Sequence, residues 1–429
     1  MELFMEGSGP LRHDEAEAFF EQALGCEHLA GKSVLFIIPD STRSFPSHLV
    51  FTTIHRILSG TVKKLDFLIA LGTHRPMSTE AIQHMLGISA SEMDSTFSDT
   101  HIFNHHWDNP NALKQIGVIG KDRIAVLTGN RFAQDVPISV NRMLFDYDKV
   151  IIVGPVFPHE VVGFSGGHKY IFPGVGGADF INFFHWFAAI ITSPRIIGNR
   201  DTPVRALIEE AASLLPFNAS AFCLSVVGSE LMGISYSDST YTAWRKACEL
   251  SEKLHIVYCE KPYKSVLACA PRLYDDLWTG GKCAYKTECV VADGGELIIY
   301  APHITEVSYT HGRIIDEIGY HNRDYFLSQW DKFKGYPWGV LAHATHVKGI
   351  GSFEDGVEKP RIQVKLATGI SPERCKKINL GWVDYRSIDK ADWQGTPDRL
   401  CLDHAGETLY RLKESPEWQK PLQRAAGDE

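Results

Sequence analysis

Short apolar segments alternate with helix-like segments along the first half of the chain. Runs rich in Val, Ile, Leu and Phe are typical of buried strands and cover residues 33–38, 65–71, 123–127 and 149–154. The intervening segments that favour helices are residues 51–58, 78–86 and 110–116. Because strands that alternate with helices form parallel sheets covered on both faces, this pattern predicts an α/β fold.

The alternation continues through the second half of the chain. Helices are predicted at residues 178–191 and 203–215, and strands at residues 222–228, 266–270, 296–300 and 338–342. A polar stretch at residues 260–264 separates the two series of elements. We therefore expect two α/β domains with mainly parallel sheets, residues 1–262 and 263–429, and an active-site cleft between them.

Composition narrows the class of protein. A chain of 429 residues is too long for one ordinary core, which favours two domains. The net charge of −9 argues against a nucleic-acid or anionic-membrane partner. Nine cysteines without a C-x-x-C pair favour reduced thiols and a cytoplasmic protein. We see no basic signal region at the N-terminus and no apolar run of membrane-spanning length.

Polar residues follow several of the predicted strands. These strand-end segments are residues 40–43, 72–75, 158–159, 270–272 and 301–303. Ligands of open parallel sheets bind beyond the carboxyl ends of the strands, so these segments together predict one composite cleft. Taken singly, each is explained equally well by the ordinary roles of Asp, Thr and Pro in turns and caps.

The most informative segment is a glycine-rich loop, His159 to Lys169, which follows the strand-like run 150–154. Glycine lets backbone N–H groups approach a ligand closely. The loop is not a Walker A motif, because Tyr170 rather than Ser or Thr follows the lysine. It is not a dinucleotide fingerprint either, since no G-x-G-x-x-G opens a helix here. A loop that only turned the chain would need neither the lysine nor the flanking histidines.

The loop resembles the signature of the nickel-pincer-nucleotide-dependent lactate racemase family. That signature is a histidine, G-F-S-G-G-x-K ending ten residues later, a P-G turn, and a histidine sixteen residues past the lysine. The matching residues here are His159, Gly163 to Lys169, Pro173-Gly174 and His185. Further resembling segments are Asp40-Ser-Thr-Arg43, Gly72-Thr-His-Arg-Pro76, Asn104-His-His-Trp107 and Asp276 to Lys282. Two of them depart from the family: His106 stands where an aspartate is usual, and Trp278-Thr279 replace Tyr-Gln.

The resemblance implies a racemase or epimerase that inverts C2 of a 2-hydroxy acid by reversible hydride transfer. The acceptor in this family is a nickel-pincer nucleotide, a pyridinium-3-thioamide-5-thiocarboxylate mononucleotide that carries nickel. It would be bound covalently to Lys169, with His185 as the nickel ligand. The first domain would carry this anchor and the second would close the substrate cleft. Cofactor-biosynthesis enzymes would be needed as maturation partners.

The remaining roles also follow from the resemblance. His105 and His159 would be the two general bases, and histidine's near-neutral pKa suits a reversible acid and base. Arg43 and Lys282 would hold the substrate carboxylate. The other expected cofactor contacts are Asp40, Thr42, Gly72, Thr73, His74, Ser165, Gly166, Gly167 and His168.

The substrate is expected to be larger or more polar than lactate. Five residues of the second domain are predicted to lie near the cleft: Trp278, Thr279, His343, His346 and Lys348. Hydrogen-bond donors are costly to desolvate beside a methyl group, so they would suit extra hydroxyls or a second carboxylate. Ordinary turn contacts or a surface metal site explain the last three equally well.

Two other functions compete with the racemase interpretation. His105, His159 and His185 could form the three-histidine zinc site of a hydrolase. That leaves the lysine loop and the strand-end arginines without a role. A non-catalytic mononucleotide-binding protein would instead leave two histidines unexplained. Singly, His185 could be a satisfied core histidine, His105 a capping residue, and Arg43 a partner of Asp40.

Overall fold

The computed structural model of the protein describes residues 1–393 and 395–422. Its first half contains the strands Glu2–Glu6 (β1), Ser33–Ile38 (β2), Lys64–Ile69 (β3), Thr100–Asn104 (β4), Leu113–Ile119 (β5), Val136–Asn141 (β6), Lys149–Pro155 (β7), Pro158–His159 (β8), Gly163–Phe164 (β9), Ser220–Val227 (β10) and Glu230–Ser237 (β11). Its helices are His13–Gly25 (α1), Ser47–Leu58 (α2), Thr79–Leu86 (α3), Ala90–Asp94 (α4), Lys121–Leu127 (α5), Ala178–Ile191 (α6), Ser193–Ile196 (α7), Pro203–Ser213 (α8) and Thr240–His255 (α9).

The second half is built in the same way. Its strands are Ile256–Cys259 (β12), Tyr263–Cys269 (β13), Val291–Ala301 (β14), Gly351–Glu354 (β15), Val357–Pro360 (β16), Gln363–Thr368 (β17), Gly381–Trp382 (β18), Arg399–Leu402 (β19) and Leu409–Leu412 (β20). Its helices are Leu277–Gly280 (α10), Lys282–Thr287 (α11), Gly312–Ile318 (α12), Arg323–Ser328 (α13), Trp330–Phe333 (α14), Trp338–Lys348 (α15) and Pro372–Lys377 (α16).

Two sheets organise the molecule. The larger has seven strands in the order β1-β11-β10-β7-β2-β3-β4. Its neighbours from β10 to β4 pair in parallel, and β1 and β11 add an antiparallel edge. The smaller sheet, β18-β17-β14-β13-β19, is parallel throughout. The α/β fold with mainly parallel sheets is therefore confirmed.

The division of the chain follows these sheets. All strands of the larger sheet lie before residue 238, and all strands of the smaller sheet lie between residues 263 and 402. We propose the domain boundary near residue 262 on this basis. The chain does not separate completely there, because β20 returns to pair with β12.

Helix α6 lies between the two cores. Its phenylalanines, Phe180, Phe183, Phe184 and Phe187, pack in the core of the larger sheet. From the same helix, Trp186 packs in the core of the smaller sheet. A helix that is apolar over most of its surface must bury that surface against other elements, which explains its position.

Three predicted elements are wrong. Residues 123–127 form part of helix α5 instead of a strand. A short apolar run shows too little periodicity to distinguish a helix from a strand. Residues 110–116 form a single helical turn and then strand β5, which pairs with β6. Residues 338–342 begin helix α15, which starts directly after Pro337. Within the described ranges, no helix has both the length and the apolar composition needed to cross a membrane.

Candidate functional site

The glycine-rich loop lies between β7 and α6 and is held from behind by two buried side chains. Trp244 donates its indole N–H to Ser165 O at 2.9 Å. Arg205, which is 2% exposed, donates to Phe164 O at 2.7 Å and stacks on the Trp244 ring at 3.8 Å. The loop is therefore fixed by groups that sit on α8 and α9, far away in sequence.

Two loop glycines are required by both conformation and space. Gly163 has a φ of +81°, and a Cβ there would lie 1.9 Å from Asn199 O. Gly167 has a φ of +58°, and a Cβ there would lie 2.8 Å from Trp244 Cβ. Both φ values favour glycine. The G-F-S-G-G pattern is thus explained by close packing of the loop backbone.

Lys169 lies at the end of this loop, and its side chain is largely buried. Burial, with a smaller contribution from Arg43, lowers the pKa of Lys169 to about 7. Among the described residues, its amine makes no hydrogen bond or ion pair. A buried amine that is partly neutral at pH 7 is a competent nucleophile.

His185 lies on α6, and its ring orientation is set by the helix itself. Its Nδ1–H donates to Ile181 O at 2.7 Å, one turn earlier. Burial lowers the pKa of His185, and nearby Lys169 lowers it further. The ring is thus neutral, with the Nε2 lone pair left for a ligand. A histidine whose other nitrogen is held by a backbone carbonyl is the usual form of a metal ligand.

His159 is the last residue of β8 and pairs with Gly163 of β9. Its Nδ1 lies 3.2 Å from Val161 N, whose N–H it accepts in one tautomer, and 3.3 Å from Glu160 Oε2, to which it donates in the other. Burial lowers the pKa of His159 well below its ordinary value, and the charges of Lys169 and Arg43 add to this effect. The imidazole is therefore neutral, as a general base must be.

His105 is fully buried and both of its ring nitrogens are used. Its Nε2–H donates to Gly176 O at 2.9 Å, and its Nδ1 accepts from Asn141 Nδ2 at 3.1 Å. Burial lowers the pKa of His105 to about 4. In this arrangement the ring holds the turn that follows the lysine loop and offers no free nitrogen. The neighbouring His106 is exposed.

Positive charges are concentrated around the loop. Arg43 is close enough to lower the pKa values of Lys169, Lys282 and Lys286, although burial is the main cause for each. Arg43 forms no ion pair with Asp40 among the residues described. Glu160 lies among these cations and partly offsets them. The excess of positive charge favours an anionic ligand.

Lys286 was missed by the sequence analysis. It is 6% exposed, and its amine donates to Pro158 O at 2.8 Å, the residue before His159. Burial lowers the pKa of Lys286 to about 8. A signal was present, because Lys286 lies one helical turn after Lys282 and therefore on the same face of α11.

The two strand-end loops after β2 and β3 meet. Asp40 Oδ2 lies 2.5 Å from His74 Nδ1, and Asp40 Oδ1 accepts the Thr42 hydroxyl at 2.6 Å. Burial alone would raise the pKa of Asp40, but the bonds from His74 and Thr42 hold it below its ordinary value. Gly72 N–H donates to Gly174 O at 2.9 Å, which joins this pair of loops to the lysine loop.

Some predicted contacts point elsewhere. His168 Nδ1 lies 2.6 Å from Glu209 Oε2 and is engaged there. In the second domain, the Thr279 hydroxyl donates at 3.0 Å to Asp276 Oδ1, the side chain that caps α10. Lys348 donates to Asn379 O at 2.7 Å. These three side chains are occupied by the protein itself.

The α15 histidines differ from one another. His343 stacks on Trp278, with ring centroids 4.0 Å apart. His346 is 5% exposed, and neither of its ring nitrogens has a hydrogen-bond partner among the described residues. It lies near Glu160 and His185, and burial lowers its pKa to about 4. A cavity of about 40 Å³ lies beside it, also lined by Ser193 and Glu288. His346 is the α15 side chain suited to an external polar group.

Comparison with known proteins relates the chain to lactate racemases. Residues 20–196 match the family model described as lactate racemase N-terminal domain. A lactate racemase from Thermoanaerobacterium thermosaccharolyticum is 25% identical over 286 residues, which is 63% of this chain and 60% of that protein. A lactate racemase from Lactiplantibacillus plantarum is 25% identical over 33% of this chain and 30% of that protein. The matched regions thus span less than two thirds of these curated relatives.

Solved structures extend the similarity over the whole molecule. A crystal structure of a Thermotoga maritima protein is 33% identical, with a TM-score of 0.83, and covers 95% of this chain and all of that chain. The lactate racemase apoprotein from T. thermosaccharolyticum has a TM-score of 0.69 at 18% identity, with 92% of each chain covered. The latter likeness is one of fold. Residues 20–196 therefore belong to the lactate racemase N-terminal domain family, and the chain as a whole is similar to lactate racemases.

Proposed function

We propose that the protein is a racemase or epimerase that inverts C2 of a 2-hydroxy acid with a nickel-pincer nucleotide bound to Lys169. The observation that carries this proposal is the largely buried, unpartnered amine of Lys169, whose pKa is lowered to about 7. The two curated relatives are named lactate racemases, which supports the same reaction class. When bound, the cofactor would supply the acceptor for the hydride that leaves C2.

The residues present fit this group. Lys169 offers a nucleophilic amine for the covalent bond, and His185 Nε2 offers a neutral nitrogen to nickel. Thr42, His74 and the backbone around Gly166 would hold the ribose and phosphate. The cationic surroundings, Arg43 above all, would offset the charge of the phosphate.

The protein's own part in the reaction is to bind the substrate and to move its hydroxyl proton. Arg43 and Lys282 would hold the substrate carboxylate. In the tautomer whose Nδ1–H faces Glu160 Oε2 at 3.3 Å, His159 has a free Nε2 lone pair, which would accept the hydroxyl proton of one enantiomer. Burial favours the neutral ring before this transfer, and Glu160 would stabilise the imidazolium that forms. Lys286 would position His159 through Pro158 O.

His105 would serve the other enantiomer after a change in its hydrogen bonds. Its Nδ1 can accept a substrate proton only when the Asn141 amide turns away. Because His105 also bonds Gly176 O, this movement would involve the turn that follows Lys169.

The zinc-hydrolase alternative is disfavoured by the same geometry. Both His105 nitrogens are bonded to protein groups. In the part of the chain that the structure describes, the three histidines do not come together as a cluster of metal ligands. A hydrolytic zinc site would therefore need a different arrangement of His105, His159 and His185.

The first prediction tests the anchor. When the protein is produced together with the cofactor-making enzymes, it should carry one nickel and an added mass of a few hundred daltons. Lys169→Ala should lose the adduct and lower racemase activity by at least about 1,000-fold, since a group acting only as covalent anchor cannot be replaced. His185→Ala should keep the adduct and lose nickel. Intact-mass spectrometry and metal analysis measure both.

His106→Ala is the matched control, because this exposed histidine neighbours His105 and has no assigned role. It should retain adduct, nickel and activity. If Lys169→Ala still carries the adduct, Lys169 is not the residue that binds the cofactor covalently. Nickel kept by His185→Ala but lost from His159→Ala would refute the ligand assignment.

The second prediction concerns the amine of Lys169 in the cofactor-free protein. A small acylating reagent attacks only neutral amines, so labelling of Lys169 should rise through pH 7, where its pKa lies. Surface lysines have pKa values of about 10.4 and should react appreciably only at higher pH. Peptide mass spectrometry gives both profiles from one sample, with the exposed Lys63 as internal control. If the labelling of Lys169 and Lys63 depends on pH in the same way, the claim that burial lowers the pKa of Lys169 is wrong.

The third prediction concerns the substrate. The unpartnered His346 supports a 2-hydroxy acid with further hydroxyls or a second carboxylate. Because one lost hydrogen bond costs about 1 kcal/mol, His346→Ala should lower kcat/KM for such acids by about fivefold and leave lactate unaffected. Lys348→Met, which changes a side chain bonded to Asn379, should not change this preference. Lactate as best substrate, with no effect of His346→Ala, would show the prediction to be wrong.

A further inference from the structure

Two thiols and a carboxylate come together on the smaller sheet, away from the lysine loop. Cys269 ends β13, Cys401 lies in β19 and Asp403 follows β19. Their ligand atoms all lie within 4.8 Å of one another. We refer to these three residues as the Cys269 cluster. Cys269 is buried, Cys401 is half-buried and Asp403 is exposed, so the cluster opens toward solvent on one side.

Strand register explains why these side chains meet. Leu267 pairs with Cys401 across the parallel strands β13 and β19. Alternate residues of a strand point to the same face, so Cys269 and Asp403 lie on the same face as this pair. That face also carries the small apolar cluster around Leu267 and Ile298.

The positions of Cys269 and Cys401 disfavour a disulfide between them. Cys269 is two residues further along its strand than the partner of Cys401. This offset places the two Cα atoms about 8 Å apart. Disulfides need Cα separations of up to about 6.8 Å. Two thiolates on one tetrahedral zinc ion are about 3.8 Å apart, which small side-chain adjustments can reach.

A cation already lies in the cluster. Lys390 Nζ is 2.7 Å from Asp403 Oδ1 and within hydrogen-bonding reach of the Cys269 sulfur. The cluster thus already binds one positively charged group, the Lys390 ammonium. Lys390 is a long, partly exposed side chain that can leave for solvent without disturbing the fold.

We propose that Cys269, Cys401 and Asp403 form a binding site for a thiophilic divalent cation, Zn²⁺ above all, with water as the fourth ligand. Two sulfur ligands and one carboxylate match the preferences of Zn²⁺. On binding, each thiol loses its proton to solvent, and the Lys390 ammonium moves away from the carboxylate. The ion then joins the ends of β13 and β19, which are distant in sequence.

A cysteine thiol has an ordinary pKa of about 8.5, so each thiol carries its proton near pH 7 until a metal ion displaces it. Zinc binding must therefore release protons. Calorimetric titrations in buffers of different ionisation enthalpy should detect about two protons for each zinc bound at this cluster.

The test is a competition titration of the full-length, reduced, metal-free protein with Zn²⁺ against a chromophoric chelator. The wild-type protein should bind one more zinc than Cys401→Ser, and at this site the dissociation constant should rise by about 100-fold or more in the variant. Lys390→Met should tighten binding instead, because it removes the competing ammonium. Cys26→Ser, which removes an exposed thiol elsewhere, is the matched control and should behave as the wild type.

The comparison with Cys401→Ser separates this site from any zinc held by the histidines near Lys169. Cd²⁺ provides an independent readout, since the wild type but not Cys401→Ser should show the ultraviolet charge-transfer band of cadmium thiolates. Equal zinc stoichiometry in the wild type and Cys401→Ser would overturn the proposal. So would weaker binding by Lys390→Met, or a disulfide between Cys269 and Cys401 in the oxidised protein.

Discussion

Helix α6 is packed between the two cores, and the position of His185 depends on that packing. Phe183 and Phe187 pack against the larger sheet, while Trp186 packs against the smaller sheet and stacks on Trp330 at 5.2 Å. A helix enclosed by two cores cannot rotate or slide without opening one of them. Within this helix, the backbone carbonyl of Ile181 accepts the Nδ1–H of His185 and so fixes the orientation of the ring. The packing of α6 between the two sheets therefore determines the position of His185 relative to the lysine loop.

Burial sets the electrostatics of the pocket. Lys169 and His159 are brought together in a region where charge is costly, and the pKa of each is lowered. A neutral amine can form a covalent bond, and a neutral imidazole can accept a proton. The guanidinium of Arg43 supplies a positive charge that attracts an anion. A nucleotide phosphate and a substrate carboxylate would relieve the repulsion among these cations.

The sequence was most informative where local spacing sets structure. The G-F-S-G-G-x-K loop follows a buried strand, and its glycines are demanded by contacts such as that of Gly163 with Asn199. Helix α6 was predicted with its exact bounds because its apolar composition is continuous. Arg205 and Trp244 were missed, since they reach the loop from α8 and α9, and no local pattern records such contacts.

The errors arose where short apolar runs were ambiguous. Residues 338–342 were predicted as a strand, which would have aimed alternate side chains at the cleft. As a helix, α15 places His343 against Trp278 and bonds Lys348 to Asn379. Tertiary packing, and not the local sequence, decides between helix and strand here.

The role of His105 was predicted from its motif alone. The hydrogen bonds that engage both of its ring nitrogens come from residues far along the chain, so the sequence did not reveal them.

The central claim is that a single C2 hydrogen leaves one face of a 2-hydroxy acid and returns to the other. The most direct measurement is the conversion of one pure enantiomer by the cofactor-loaded protein in D₂O, followed by NMR of the product. The account predicts inverted configuration at C2 with the original hydrogen retained. Inversion with deuterium incorporated at C2 would show that the hydrogen leaves as an exchangeable proton. That result would contradict hydride transfer and the roles assigned here to Lys169 and His185.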